Sequence, residues 1–362
     1  QVIDTNSDGI IKPADSDKVR AFLSSRRGNS NIYALDLTGD TLLSNASNIV
    51  VPKFMWRIEG GVGDFSRLGQ TWSQPTIATI AVNTGPTIEN REVLIFGGGY
   101  DTALDNPATY SPSDNGGNDF MGNAIYIVDP DDGSLLLSIS GSGSGADITV
   151  PDMHYSIPAA VRSLDSDGDG VEDRLYVGDT GGQVWRVDLA PLDISSGSSV
   201  VTTSAVGKLA NISVDSVPAK QRRFFEAPSV IQVRDTQFSD EANYDYVLMG
   251  TGYRPHPLNR EVEDRFYAFR DFQTGANEMA NLDITGNGDN IINSGEGYPQ
   301  LSGNAFTDAD LVNVTTTVLD GGDSTHRTAA GWFYDFTQAG TVAEKVLSTA
   351  VTTGGVVTFT TF

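Results

Sequence analysis

Between Ser163 and Leu189 the chain reads S-L-D-S-D-G-D-G-V-E-D-R-L-Y-V-G-D-T-G-G-Q-V-W-R-V-D-L. Asp165, Asp167, Asp169 and Asp173 fall on alternate positions, with the main-chain carbonyl of Val171 filling the place between the last two. Gly170 stands where such a loop has to turn sharply. Oxygen donors at this spacing suit a hard cation such as Ca²⁺. Asp165, Asp167, Asp169, Glu172 and Asp173 crowd five carboxylates into nine residues, and these repel one another unless a cation neutralises them. The competing reading is a solvated acidic turn. Behind the loop, the β-rich runs Arg174–Asp179 and Gln183–Leu189 flank Gly181 and Gly182, which predicts a hairpin as its support.

Two further loops follow the same logic. At the start of the chain, Asp4, Asn6, Asp8, the Ile10 carbonyl and Asp15 fill an EF-hand register, with Gly9 at the turn and Ile11 at the apolar position. Asp15 replaces the usual terminal Glu and so reaches less far, and Pro13 interrupts any exiting helix. Later, Thr285, Asn287, Asp289, the Ile291 carbonyl, Asn293 and Glu296 fill ligand positions, with Asn290 at the turn and Asp283 an alternative first ligand. Asn tolerates the left-handed conformation that this turn needs. An Asn/Gly-rich surface loop is the plainer alternative.

Little points to catalysis. His154, His256 and His326 are isolated in sequence, with no pair at metal-ligand spacing. No G-x-S-x-G, Walker or H-E-x-x-H motif occurs. Gly97–Asp101 (G-G-G-Y-D) lacks the Lys-Ser/Thr ending of a phosphate loop and reads as a tight turn. Trp56, Trp72, Trp185 and Trp332 sit in or beside strand runs, which packing explains.

The elements that must hold these loops are short strands. In 362 residues, 39 are Gly and none is Cys, so disulfide and thiol chemistry are excluded. The net charge of −24 disfavours nucleic acid and anionic membranes as partners. No apolar run approaches the roughly 20 residues of a membrane span. Gln1 leads directly into acidic sequence with no signal peptide, as expected of a piece of a longer protein. A motif of apolar strand, aromatic, Asp and Gly recurs at Asn31–Asp40, Asn123–Gly133, Arg174–Gly182 and Arg265–Asp271, with a diverged copy at Gly331–Phe336. Further strands are expected at Trp72–Ile80, Ser156–Val161 and Ala227–Val233, and helices at Ser16–Ser25 and Asp308–Val312. Units of roughly 40 to 50 residues predict an all-β, distorted β-propeller with about seven blades. Residues 1–30 form an EF-hand-like edge in this reading and residues 31–362 the propeller. Insertions are expected at Asp101–Gly122, Ala190–Arg223 and about 272–330. A two-sheet sandwich array explains the recurrence less well.

These residues resemble the C-terminal domain of the PilC/PilY family of type IV pilus biogenesis factors and tip adhesins. The likeness rests on Tyr33–Leu37, Met55–Gly61, Leu68–Thr76, Phe96–Asp101 and Ala124–Asp129. It continues through the Asp165–Leu189 block, Gly250–Arg254, Phe266–Asp271, Asp308–Thr315 and Gly331–Phe336. The resemblance implies a seven-bladed propeller whose ligands to Ca²⁺ are Asp165, Asp167, Asp169, Val171 and Asp173. It also implies control of pilus extension, retraction and twitching motility at the pilus tip of a Gram-negative bacterium. Minor pilins would be the partners, and the full-length protein would carry adhesion to a host or abiotic surface. The loops at Asp4–Asp15 and Asp283–Glu296 look like additions to the family pattern. A secreted carbohydrate- or surface-binding propeller with purely structural calcium is the alternative. A quinoprotein-like enzyme is disfavoured by the missing vicinal cysteines.

Overall fold

The computed structural model describes residues 1–9, 11–38, 51–105, 119, 121–194, 204–213, 220–235, 242–271, 305–316, 329–336 and 344–362. Four antiparallel meanders dominate them. The first sheet is β1 (Val2–Ile3), β2 (Lys18–Ser24), β3 (Asn31–Asp36) and β4 (Lys53–Glu59). The second runs β5 (Thr76–Asn83), β6 (Ile88–Gly97), β7 (Ala124–Val128) and β8 (Leu135–Ser140), extended by β9 (Ile148–Thr149) beside β8. The third holds β10 (Arg162–Leu164), β11 (Arg174–Gly178) and β12 (Gln183–Asp188). After β12, β13 (Leu192–Asp193) leaves to pair in parallel with β5, and β14 (Ala205–Asn211) completes the third sheet. The fourth is β15 (Ser229–Asp235), β16 (Ala242–Gly250) and β17 (Arg265–Asp271), followed by β18 (Val312–Asn313) and β19 (Gly331–Asp335). A hairpin of β20 (Val351–Thr353) and β21 (Val356–Thr358) follows. Among the described residues there is no α-helix, only short 3-10 turns.

The strand alternation of side chains explains how these sheets stack. Leu175 and Val177 face one way, into a core shared with Val93, Ile95, Ile125 and Ile127 of the second sheet. Tyr176, between them, faces the other way, into a core with Val247, Met249, Tyr267 and Phe269 of the fourth. Strand β11 is therefore buried on both faces, which is why its sequence reads apolar without a solvent-facing stripe. A third core joins Ile32, Ala34 and Ile58 of the first sheet to Leu94, Phe96 and Tyr126 of the second. Successive sheets stacked face to face in chain order make the fold a distorted β-propeller.

Backbone hydrogen bonds also step from sheet to sheet. Gly69 N donates to Gly98 O (2.8 Å), Gly99 N to Ile157 O (3.0 Å), Thr180 N to Ser156 O (2.9 Å) and Phe224 N to Asp179 O (2.9 Å). At the first junction the Trp56 indole donates to Pro130 O (3.0 Å), and its ring lies over Gly133. A Cβ on Gly133 would stand 2.8 Å from that ring.

Several expectations change. Ser16–Ser25 is not helical: Lys18–Ser24 forms β2 and pairs with β3, long-range pairing overriding a weak helical pattern. Residues of the expected N-terminal edge thus supply β1 and β2, at one edge of the first sheet. Ser156–Val161 is not a strand, because Ile157 spends its amide and carbonyl on Gly122 and Gly99, just outside β7 and β6. Ala190–Arg223 is more than an insertion, since it supplies β13 and β14. Asp308–Val312 shortens to a 3-10 turn at Asp308–Asp310, capped reciprocally by Thr307 and Asp310.

One buried carboxyl gives the fold a pH dependence. Among the described residues both Asp264 oxygens are buried with no well-formed hydrogen bond, the Thr251 hydroxyl is beside them, and Lys345 Nζ is 4.0 Å away. Burial pushes the Asp264 carboxyl up to about 6. The folded chain therefore holds a proton that the unfolded chain has already released. Its stabilising contribution is present below the ordinary carboxyl range and is lost as pH rises through about 6. Lowering the pH from about 7.5 to about 5 should stabilise the domain through this group by on the order of 1–1.5 kcal/mol. In Asp264→Asn this component disappears, and denaturation midpoints across that range check it. An unchanged pH slope in the variant would remove Asp264 as the source.

Candidate metal centre

The loop between β10 and β11 is organised around Asp165. The amides of Gly168 and Gly170 donate to its two oxygens at 2.7 and 2.8 Å, and that of Asp169 at 3.2 Å. These donors, the Gly170 amide foremost, hold the Asp165 carboxyl below the usual carboxylate range. Gly168 and Gly170 both take positive φ (83° and 89°), the conformation that lets the chain wrap around one side chain. Asp169 Oδ1 accepts the Val171 amide (2.8 Å) and Asp167 Oδ1 the Asp169 amide (3.2 Å).

One oxygen from each of Asp165, Asp167 and Asp169 lies within 4.8 Å of the others. Two oxygens each about 2.4 Å from one Ca²⁺ stand no more than about 4.8 Å apart, so the trio fits around a single ion. Asp173 is not part of that trio. Its oxygens accept from the Ser166 amide (3.2 Å) and hydroxyl (2.7 Å). It does share a cavity of about 180 Å³ with Asp167, Asp169, Val171 and Glu172. Burial raises the Glu172 and Asp173 carboxyls, and one Glu172 oxygen is buried with no partner among the described residues. A cation in this cavity would offset that desolvation.

Three sheets hold the loop in place. Glu172 N donates to Thr79 O of β5 (2.7 Å), and Asp173 N to Leu164 O of β10 (3.1 Å). Gln232 Nε2 of β15 donates to Ser166 O (2.8 Å).

The N-terminal loop is built differently. Asp4 Oδ2 accepts the Gly9 amide (2.7 Å), and Asn6 Nδ2 donates to Asp15 Oδ2 (3.2 Å). Lys12 Nζ stands 3.0 Å from Asp8 and 3.6 Å from Asp15. The chain thus places its own ammonium among the expected ligands. Asp17, which the spacing argument passed over, closes the loop by accepting the Thr5 and Lys12 amides, both at 2.8 Å. Ile10 and the whole Asp283–Glu296 loop, with Thr285, Asn287, Asp289, Ile291, Asn293 and Glu296, lie outside the described residues.

Immediately after the Asp165–Asp173 loop comes a buried charge network. Arg174 donates to Asp188 (3.0 Å) and to Asp245 of β16 (2.6 Å). Arg186 pairs with Asp188 (2.9 Å) and with Asp271 of β17 (2.8 Å). Tyr176 Oη lies within hydrogen-bond distance of both Asp245 (2.9 Å) and Asp271 (2.7 Å) and donates its one proton between them. The same device recurs on β17, where Arg265 (2.8 Å) and Tyr267 (2.9 Å) grip Asp308. The repeated R-x-Y, at Arg174–Tyr176 and Arg265–Tyr267, was the available signal for both.

The histidines also look different in space. His154 packs edge-on to Tyr155, and burial lowers its pKa. His256 Nε2 lies 3.0 Å from Asp105 and its ring 4.6 Å from that of Tyr253. His326 is outside the described residues.

Stacked four-stranded meanders carrying an acidic loop at the entry to one hairpin define a distorted β-propeller with a candidate cation loop. No protein-family profile matches the chain. Over 164 residues it is 27% identical to the type IV pilus biogenesis factor PilY1 of Pseudomonas aeruginosa, in strains PAO1 and PAK alike. That match covers 45% of this chain and only 11% of the length of those relatives. The crystal structure of the P. aeruginosa PilY1 C-terminal domain aligns with a TM-score of 0.58 at 20% identity, covering 96% of this chain and 67% of that one. The chain is similar to PilY1 in sequence and to the PilY1 C-terminal domain in fold.

Proposed function

We propose that the chain is a calcium-binding propeller domain of a type IV pilus biogenesis factor. The observation that carries the metal assignment is the convergence of Asp165, Asp167 and Asp169 within the span of one ion. Val171 and Asp173 line the adjoining cavity and would complete the ligand set, Asp173 giving up its bond to Ser166. Bound Ca²⁺ would neutralise the clustered carboxylates and fix the entry angle of the β11–β12 hairpin. The likeness to PilY1 supports a role in pilus biogenesis. In this reading the domain works at the cell surface, at the pilus tip, and contacts minor pilins. Calcium there regulates extension and retraction, hence twitching motility, and the full-length protein supports surface adhesion. Among the described residues no helix is long and apolar enough to cross a membrane. We read the domain as a binding module and assign it no reaction.

Calorimetric titration of Ca²⁺ into metal-stripped protein tests the site. Wild type should bind with a Kd of about 10⁻⁴ to 10⁻³ M, the range of extracellular calcium modules. Asp169→Ala should weaken binding by at least about 10-fold, because one converging carboxylate is lost. Equal binding by wild type and variant would move the metal elsewhere, and no binding by either would leave an acidic turn.

A further inference from the structure

We infer that the end of the domain opposite the acidic loop is a docking surface for an acidic segment of a partner protein. The acidic loop enters β11 at Arg174, whereas the turn after β11 faces the other end, where Phe224 N bonds Asp179 O. The inference is therefore independent of the calcium reading.

Loops from three sheets meet there. Arg26 and Arg27 come from the β2–β3 turn, Trp72 precedes β5, Arg223 precedes β15, and Tyr253 and Arg254 lie between β16 and β17. The Trp72 ring packs 6.0 Å from both Tyr100 and Phe225, and Phe225 packs 6.2 Å from Tyr253. Tyr100 and Tyr253 join their hydroxyls (3.3 Å), and Trp72 stays partly exposed above them. This is a rigid aromatic floor, the kind of anchor that dominates protein interfaces when arginines surround it.

The charge is the reverse of the chain as a whole. Arg27 pairs with Asp105 (2.9 Å) and Arg254 with Glu226. Arg223 lies over the Tyr253 ring (4.2 Å), and Arg26 over Trp72 (5.8 Å). Neither Arg26 nor Arg223 makes a direct ion pair among the described residues, although Arg26 stands within electrostatic reach of Glu226 and Arg223 of Asp264. Two guanidinium groups on aromatic rings, each without a direct carboxylate partner among the described residues, form a local anion-accepting patch in a chain of net charge −24. A long polyanion would be repelled by the rest of the surface, while a short acidic segment reaches the patch alone. Arg26 carries the second sign of a function. Its φ of +48° is in the left-handed region, which a side chain with Cβ adopts under strain. Such strain persists where a side chain is needed in one place.

Fluorescence anisotropy of a labelled oligoglutamate peptide at low salt tests the surface. Wild type should bind saturably, and raising the salt to about 0.5 M should weaken binding by at least about 10-fold. Arg26→Gly should cost at least about 10-fold in affinity while leaving the melting temperature equal or higher, because glycine relieves the backbone. Arg26→Glu should abolish binding. Three results would overturn the inference: equal peptide affinity in Arg26→Gly, a drop in its melting temperature, or tighter binding of heparin oligosaccharide than of the peptide. Self-association of wild type that Arg26→Glu abolishes would also overturn it, by making a second copy the occupant.

Discussion

Arg174→Met should remove about 3–5 kcal/mol of stability, the cost of leaving buried charge uncompensated. Asp188 and Asp245 are both buried, and Arg174 is the cation that bridges them from one sheet to the next. Without it, Asp245 keeps only the Tyr176 hydroxyl among its described partners. Burial already raises the Asp245 carboxyl in the intact network. A carboxyl raised in the folded state costs stability as pH climbs through its folded pKa, so the variant's deficit should be largest near neutrality and shrink toward about pH 5. Urea denaturation of both proteins at those two pH values checks the size and the direction. A deficit under about 1 kcal/mol at neutrality would mean that the network is weak or that water enters it.

The second large effect belongs to Trp185. The side chain is buried between the second and third sheets, and its indole donates to Asp179 Oδ2 (2.9 Å). Asp179 also accepts the amides of Gly181 and Gln183, both at 2.9 Å, and so closes the β11–β12 turn. Burial pushes the Asp179 carboxyl up to about 7 despite these donors. Trp185→Ala should cost about 3–5 kcal/mol through lost packing and an empty space in the core. Trp185→Phe keeps most of the apolar contact and loses the hydrogen bond, at about 1–3 kcal/mol. Thermal unfolding of the pair separates the two contributions. Equal losses in both variants would mean that the bond to Asp179, and not the ring, holds the turn.

The acidic loop and its hairpin were legible because every participant is local. Asp165 to Asp169, the Gly turns and the strands Arg174–Gly178 and Gln183–Asp188 sit within a few residues of one another. Alternation predicts such contacts directly. Asp173 shows the limit of spacing: it holds the right position, yet its carboxylate turns to Ser166. The N-terminal loop shows another limit, since a ligand register does not reveal that Lys12 enters it. The inter-sheet network was beyond reach for a different reason. Arg174 and Asp245, or Arg186 and Asp271, meet only once two sheets have stacked. Strand β2 failed similarly, since its identity comes from the register with β3 and not from its own residues.

The junctions between sheets differ in kind although the strands themselves recur. The first seats an indole on a glycine turn, Trp56 over Gly133, with Arg20 reaching Asp131 of the same turn. The junction of the third and fourth sheets is a lattice of charges around Tyr176. A chain of near-repeats risks docking a newly formed unit against the wrong neighbour during folding. Mismatched junctions would bury a lone Arg or Asp, or press a side chain into an indole, and either outcome is strongly unfavourable. Each unit thus carries an address that only its own neighbour can read, and the order of assembly is written into the joints.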